Sequence, residues 1–258
     1  MDLQLKGKSV LVTGGSKGIG LAVARGFAAE GCSLHLAARE QAPLEAAAQE
    51  IAKANDVRVV PHAIDLSRQG SAVALAQACP DVDILVNNAG AIPGGDLDAI
   101  DEARWREAWD LKVFGYINLT RLVYAAMKAK SGGAIVNIIG SAGEKMNAAY
   151  IAGSTGNAGL MAFTRALGGA SHADGIRVVG INPGPVSTDR LVTLYQQMAA
   201  TQLGDASRYK ELFKGMSFGR PAKPEEIAWM AAFLASERSS YTSGCIVTID
   251  GGLANRAN

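Results

Sequence analysis

The sequence predicts an open, doubly wound α/β domain with seven parallel strands, and three observations carry that expectation. Seven short runs rich in Val, Ile and Leu are too uniformly apolar to keep one face wet. Longer, alanine-rich amphipathic stretches separate them. No Pro/Ser-rich linker, repeat or low-complexity tract interrupts the alternation, so residues 1–258 read as one domain. Strands buried on both faces belong to parallel sheets covered by helices, and alternation of the two element types gives the doubly wound layering.

Composition narrows the function classes. Of 258 residues 48% are hydrophobic, enough for a large core, and Lys plus Arg number 25 against 24 for Asp plus Glu, scattered along the chain. Without a basic face, nucleic acid and an anionic membrane are not expected partners. The chain starts without a cationic flank or apolar h-region, and no apolar stretch approaches ~18 residues, so a soluble cytoplasmic protein is expected. Cys32, Cys79 and Cys245 lack the paired spacing of a zinc site and read as buried apolar residues, and no metal is expected. His35, His62 and His172 fall on separate elements and read as packing or surface residues.

The first strand, residues 9–13, runs into Thr13-Gly-Gly-Ser-Lys-Gly-Ile-Gly20, which opens directly into a stretch of helical spacing. Glycines let backbone turn tightly and approach a phosphate, and a helix N-terminus offers free N–H groups with partial positive charge. The second strand, residues 33–37, ends at Ala38-Arg39. An acidic residue about 20 positions beyond such glycines accepts the ribose hydroxyls of NAD, whereas a cation pairs with the 2′-phosphate of NADP. Arg39, with Lys17 able to approach the same phosphate and no competing carboxylate, points to NADP(H) in preference to NAD(H).

The third strand (58–60) is followed by Asp65-Leu66, the fourth (84–86) by Asn87-Asn-Ala-Gly90, the fifth (134–138) by Gly140-Ser141 and the sixth (177–181) by Asn182-Pro-Gly-Pro-Val186. Gly219-Arg-Pro, Pro224-Glu-Glu-Ile and Ser243-Gly244 lead to the seventh strand (246–249) and Asp250-Gly-Gly252. In this order, and with the spacing Gly14, Gly18, Gly20, the motifs resemble the short-chain dehydrogenase/reductase family over nearly the whole chain. The resemblance implies a Rossmann-like fold whose loop residues Gly14, Ser16, Lys17, Gly18, Ile19 and Gly20 hold the cofactor phosphates. It implies that Asp65 and Leu66 hold the adenine, that Asn88, Ala89 and Gly90 line the adenosine ribose, and that Pro183, Gly184, Val186 and Thr188 position the nicotinamide carboxamide. A homodimer or homotetramer is implied as well.

The segment 187–219 departs from the α/β rhythm. It carries Leu191, Leu194, Tyr195, Met198, Tyr209, Leu212 and Phe213, and a stretch that long and apolar reads as a helical lid over the ligand site. Its composition points to a small, apolar carbonyl or alcohol substrate.

The family's chemistry uses a serine, a tyrosine, a lysine four residues after it and an asparagine on the preceding long helix. An ammonium at ~4 Å with an effective dielectric near 20 is worth about 4 kcal/mol, roughly 3 pK units on a tyrosine. Ser141 stands where the family expects it, but the tyrosine–lysine pair departs. Aligning Leu160-Met-Ala-Phe-Thr-Arg-Ala-Leu167 with the family's active-site helix puts Gly153 at the tyrosine position and Asn157 at the lysine position, with Tyr150 three residues early. A second alignment keeps Tyr150 and puts Ser154 in the lysine's place. In either, lysine is absent there, while Lys112 occupies the asparagine position.

The two changes look reciprocal, so Lys112 is expected to send its ammonium into the space of the missing lysine, with Asn157 taking the amide's role. Tyr150 is the first choice of proton donor, with Ser141 and Tyr195 behind it. The expected function is an NADP(H)-dependent oxidoreductase acting on a carbonyl or alcohol with a rearranged acid–base centre. The alternative is a catalytically impaired NADP(H)-binding or regulatory protein on the same scaffold. A non-redox lyase or dehalogenase is disfavoured because the glycine loop is complete.

Overall fold

The computed structural model describes residues 1–256. Its sheet contains β1 (Ser9–Thr13), β2 (Ser33–Ala38), β3 (Val59–Ala63), β4 (Ile84–Asn87), β5 (Gly133–Ile138), β6 (Ile176–Pro183) and β7 (Ile246–Ile249). All pairings are parallel, in the order β3-β2-β1-β4-β5-β6-β7. Winding reverses between β1 and β4, the switch point outside which ligands of such sheets bind.

Helices α1 (Gly18–Ala29), α2 (Gln41–Asn55) and α8 (Pro224–Ala235) cover one face, where Phe27, Leu44, Ile51 and Ile227 meet Val10, Val12, Leu34 and Leu36. Helices α3 (Ser71–Ala78) and α5 (Gly115–Ala129) cover the other through Leu75, Leu119, Val123 and Met127, and α6 (Ile151–Ala170) adds Leu160 beside them. The central strands are sealed on both sides, which is why their sequences carry no alternation. Under the site, a buried polar chain crosses the sheet from Thr120 through Asn87 and Asn137 to Thr164, each step 2.9–3.0 Å. Every amide in it donates to a neighbour, so burial leaves no unmatched donor there.

β3 differs from expectation: it starts one residue later than 58–60, ends three later, and includes exposed Pro61 and half-buried His62. It is an edge strand, where proline's missing N–H leaves no ladder bond unmade. α4 (Glu102–Trp109) continues into a π-helical turn, Asp110–Phe114, before α5, and such turns often mark functional sites. Segment 187–219 is helical: α7 (Asp189–Leu203) is followed by 3₁₀ turns Ala206–Gly215 and Ser217–Gly219. No helix among the described residues is long and apolar enough to cross a membrane.

Candidate active site

A cavity of about 620 Å³ opens at the carboxyl ends of β1, β2, β4, β5 and β6. Its floor is the glycine loop, and here sequence dictates backbone geometry. A Cβ at Gly20 would collide with the Gly14 carbonyl and stand 2.5 Å from Asn88 Nδ2, so no larger residue lets loop and strand end close. Thr13 Oγ1 accepts from the Asn88 and Ala89 amides at 2.9 and 3.0 Å, and Asn88 Nδ2 donates to the Thr13 carbonyl at 2.9 Å. These bonds lock β1 to β4 across the switch point. α1 begins at Gly18 with neither a side-chain cap nor an acidic residue in its first turn, which leaves its amides open to a phosphate.

Of the sixteen residues expected to hold the cofactor, thirteen line this cavity: Gly14, Ser16, Lys17, Gly18, Ile19, Arg39, Leu66, Asn88, Ala89, Gly90, Pro183, Gly184 and Thr188. Gly20 and Val186 are buried behind it. Asp65 also stands back: burial raises its pKa, but hydrogen bonds from the Ser67 hydroxyl and amide, with Arg39 and Arg68 near, hold its carboxyl below the usual range. The donor set fits a dinucleotide. One sequence expectation needs correction, because Glu40 also lines the cavity and its carboxylate stands 3.8 Å from Lys17 Nζ. Arg39 is therefore the cation of the pair free of a carboxylate partner within salt-bridge distance among the described residues.

At the other end of the cavity only one of the four expected catalytic residues, Lys112, is part of the lining. The π turn aims it inward. Its stem passes over Gly90, where a Cβ would stand 2.7 Å from Lys112 Cδ and 2.9 Å from Cγ, and its ammonium donates to the Ile139 carbonyl at 2.5 Å. Burial, with Arg190 adding repulsion, brings its pKa from 10.5 down to about 8.

Asn157 is 2% exposed, and its Nδ2 lies 2.8 Å from where a Cβ on Gly140 would be. Its Oδ1 is a buried acceptor without a partner among the described residues. Lys112 and Asn157 thus abut consecutive residues, Ile139 and Gly140, at the end of β5. Ser141 follows at the start of a short 3₁₀ turn, outside the cavity lining.

Tyr150 precedes α6 and packs beside Ile92, Ala152, Trp105 and Trp109. A Cβ at Gly153 would collide with its ring, so Tyr150 reaches back over the position that the first alignment gives to the family's tyrosine. Burial raises its pKa, opposed by Arg190, and it does not line the cavity. Ser154 is turned away from the cavity: its Oγ accepts from the Asn147 amide at 3.0 Å and so anchors the loop before α6.

Sequence reasoning missed Arg190, on the first turn of α7. Its Nη2 donates to the Ile92 carbonyl at 2.9 Å, and it lines the cavity with Asp189 and Thr193. Its only sequence signal was a charge beside Asp189 at the start of a segment rich in apolar residues. Three aromatic residues of that segment pack on one another: Tyr195 stacks obliquely on Phe213 at 5.1 Å, and Tyr209 meets Phe213 edge-on at 5.6 Å. What α7 turns to the cavity is polar: Asp189, Arg190 and Thr193.

His35 on β2 and His62 on β3 are brought together by strand pairing, their rings stacked and His35 Nδ1 2.8 Å from His62 Nε2, while His172 stays apart and exposed. A larger concavity, about 810 Å³, lies at the amino ends of the strands around Lys8, Lys130, His172 and Arg177. It has no glycine loop and sits at the end of the sheet that such folds do not use for ligands.

Comparison with known proteins gives a consistent picture. Residues 8–199 match the short chain dehydrogenase family. The chain is 36% identical over 255 residues to galactitol 2-dehydrogenase (L-tagatose-forming) of Cereibacter sphaeroides, covering 96% of each. It is 31% identical to the 3-oxoacyl-acyl-carrier-protein reductase FabG of Chlamydia muridarum, covering 98% of this chain and all of the other. Its fold superposes on L-sorbose reductase from Gluconobacter frateurii, solved with NADPH and L-sorbose, with a TM-score of 0.94 at 32% identity over the full length of both.

Proposed function

Because the chain belongs to the short chain dehydrogenase family, we propose that it is an NADP(H)-dependent oxidoreductase acting on a polyhydroxylated alcohol or ketone, with Lys112 as its acid–base group. One observation carries the proposal: of Lys112, Ser141, Tyr150 and Asn157, Lys112 alone lines the cavity, with its ammonium turned inward. The cofactor would rest on the α1 amides and Gly14–Gly20 loop, with its 2′-phosphate against Arg39 and Lys17 and its nicotinamide end towards Pro183, Gly184 and Thr188. Bound there, it would supply or accept the hydride.

The remaining chemistry belongs to this chain. In reduction the Lys112 ammonium donates a proton to the oxygen that becomes a hydroxyl; in oxidation the neutral amine takes it back. A pKa of about 8 suits both directions near neutral pH, because catalytic acids work best with a pKa near the working pH. The Ile139 carbonyl takes one of three N–H donors, leaving two for substrate. Tyr150, lifted by burial, is the weaker acid and serves as a wall held over Gly153. This supports exchange of cation and amide between the two helices, but with the lysine doing the proton transfer itself.

The polar groups that α7 adds beside Lys112, Asp189, Arg190 and Thr193, favour a substrate that carries hydroxyls. Galactitol and L-sorbose, named for two relatives, belong to that chemical class. Residues 187–219 would act as the lid that brings those groups to the nicotinamide, within a single domain. Assembly as a dimer or tetramer is proposed on the family resemblance alone.

The test mixes the protein with NADPH and a panel of ketoses, simple ketones and acyl thioesters and follows loss of NADPH absorbance. Turnover of ketoses, abolished in Lys112→Met while NADPH still binds, is the expected result. Tight NADPH binding with no turnover of any carbonyl would favour the binding or regulatory alternative, for which the changed residues Gly153 and Asn157 speak.

A further inference from the structure

Outside the cavity lining, β2, β3 and the end of α3 bring together three side chains that the redox chemistry does not use. β2 pairs with β3 so that Ala37 opposes His62, and His35 lies two residues before Ala37 on the same face. Cys79, just after α3, packs under that face with Leu75 and Val82. His35 Nδ1 is 2.8 Å from His62 Nε2, Cys79 Sγ is 3.5 Å from His62 Nε2, and all three donor atoms lie within 4.8 Å of one another.

We propose that His35, His62 and Cys79 form a binding site for a borderline-soft divalent cation, zinc in the first instance, with a fourth position open to solvent. Two imidazoles and a thiolate are a donor set that zinc takes. In tetrahedral zinc, bond lengths of about 2.0–2.1 Å to nitrogen and 2.3 Å to sulfur separate the ligand atoms by roughly 3.3–3.6 Å. The sulfur–nitrogen distance already has that value. The two imidazoles must part by about half an ångström, a small ring rotation on half-buried side chains, and this opens a path for the ion.

The protonation states suit a metal. Burial lowers the pKa of both histidines, and His35 is lowered further by His62 and Arg58, so both rings are neutral and have a lone pair at physiological pH. Burial pushes the Cys79 thiol up to about 11 without an ion, so binding must release its proton. Arg58 opposes a dication, and loss of the imidazole–imidazole hydrogen bond opposes it too. Three ligands from three separate elements outweigh these costs, because folding has already brought the ligands together. Bound, the ion would pin β2 to β3 a few residues before Arg39 and Asp65, at the adenosine end of the cavity.

The experiment titrates chelator-treated full-length protein with Co²⁺, then displaces it with Zn²⁺, following near-ultraviolet thiolate-to-cobalt absorbance and proton release. One equivalent should give the charge-transfer band and tetrahedral visible bands, with about one proton released per ion near neutral pH. Cys79→Ser should abolish the band, and His35→Gln, milder because the side chain is half-exposed, should weaken zinc at least ~10–100-fold while NADPH binding persists. Absence of the thiolate band in the folded wild type would overturn the site. So would a band that survives Cys79→Ser and therefore comes from Cys32 or Cys245, or zinc affinity unchanged in His35→Gln. In those cases the cluster is a hydrogen-bonded histidine pair that joins two strands.

Discussion

The two ends of the cavity are built from different material. The nucleotide end is mostly backbone: helix N-terminal amides, glycines without which loop and strand would collide, and strand ends locked by Thr13. The catalytic end is side chain, with one ammonium threaded over Gly90, a guanidinium from α7 and a tyrosine ring folded over a glycine. Backbone sites depend on a few glycines at fixed spacing and tolerate little change. Side-chain sites let a group be supplied from a neighbouring helix, provided that it reaches the same point in space.

The sharpest way to break this contrast is Lys112→Met, which keeps the stem over Gly90 and removes the charge. General acid–base groups contribute about 10²–10⁴-fold, so kcat/KM should fall by that range while NADPH affinity changes little. In reduction, wild-type kcat/KM should decline as pH rises past about 8 and the ammonium is lost, and oxidation should show the opposite limb. Stability gives an independent sign. The folded-state pKa lies below the unfolded value of 10.5, so the unfolded chain binds more protons between about pH 8 and 10.5, and wild-type stability should rise with pH across that window. Lys112→Met should lack that rise and unfold at equal or higher temperature at pH 7. If NADPH binding collapsed with activity, the two ends would not be separable.

Arg39→Ala probes the proposed exception at the nucleotide end, where side chains, Arg39 with Lys17, would set the cofactor preference. Hydrogen bonds to charged groups contribute about 1.5–3 kcal/mol, so NADPH affinity should drop roughly 10–100-fold and NADH affinity should barely move. Isothermal titration with both cofactors measures the difference. Glu40→Gln should act the other way and by less, since its pairing with Lys17 is exposed and such pairs contribute about 0–1 kcal/mol. Equal losses for both cofactors in Arg39→Ala would remove the case for NADP(H).

The same division explains what the sequence made legible. Strand runs and glycine spacing are local signals, so β1 and β7 fall at their expected positions and thirteen of the residues expected to hold a cofactor line one cavity. β3 extends past its expected end because Pro61, a breaker in a central strand, is tolerated at an edge. Arg190, the His35–His62 contact and the self-packed aromatic layer behind α7 depend on which elements become neighbours, and no period in the sequence records that. Which side chains of 187–219 turn to the cavity is likewise a matter of tertiary packing: Asp189, Arg190 and Thr193 line it while Tyr195, Tyr209 and Phe213 pack on one another.

Gly153→Ala sharpens the catalytic end at smaller cost. The new methyl must displace the Tyr150 ring, and overpacking of this kind costs about 1–3 kcal/mol. If the ring is the wall against which substrate aligns, kcat/KM should fall about tenfold, since misplacement by an ångström can cost up to about 10²-fold. The Lys112-dependent pH profile should survive. Thermal melts and steady-state rates on one preparation separate the two effects, and a change in the pH profile would mean that the ring also holds the ammonium.

The smallest effect decides most about proton transfer. In Tyr150→Phe the ring stays over Gly153 and only the hydroxyl is lost; that hydroxyl makes no hydrogen bond among the described residues, lies outside the cavity lining and belongs to a phenol that burial makes a weaker acid. With Lys112 transferring the proton, kcat/KM should change by less than about threefold, far below the ~10²–10⁴-fold of a lost acid–base group. Steady-state kinetics across pH 6–10 would read both the magnitude and the limb near 8. A drop of about a hundredfold or more would return the proton to the tyrosine. Lys112 would then be the displaced lysine of the usual pair, acting through Tyr150 from the opposite helix, and Gly153 the residue whose missing side chain lets that tyrosine arrive three positions early.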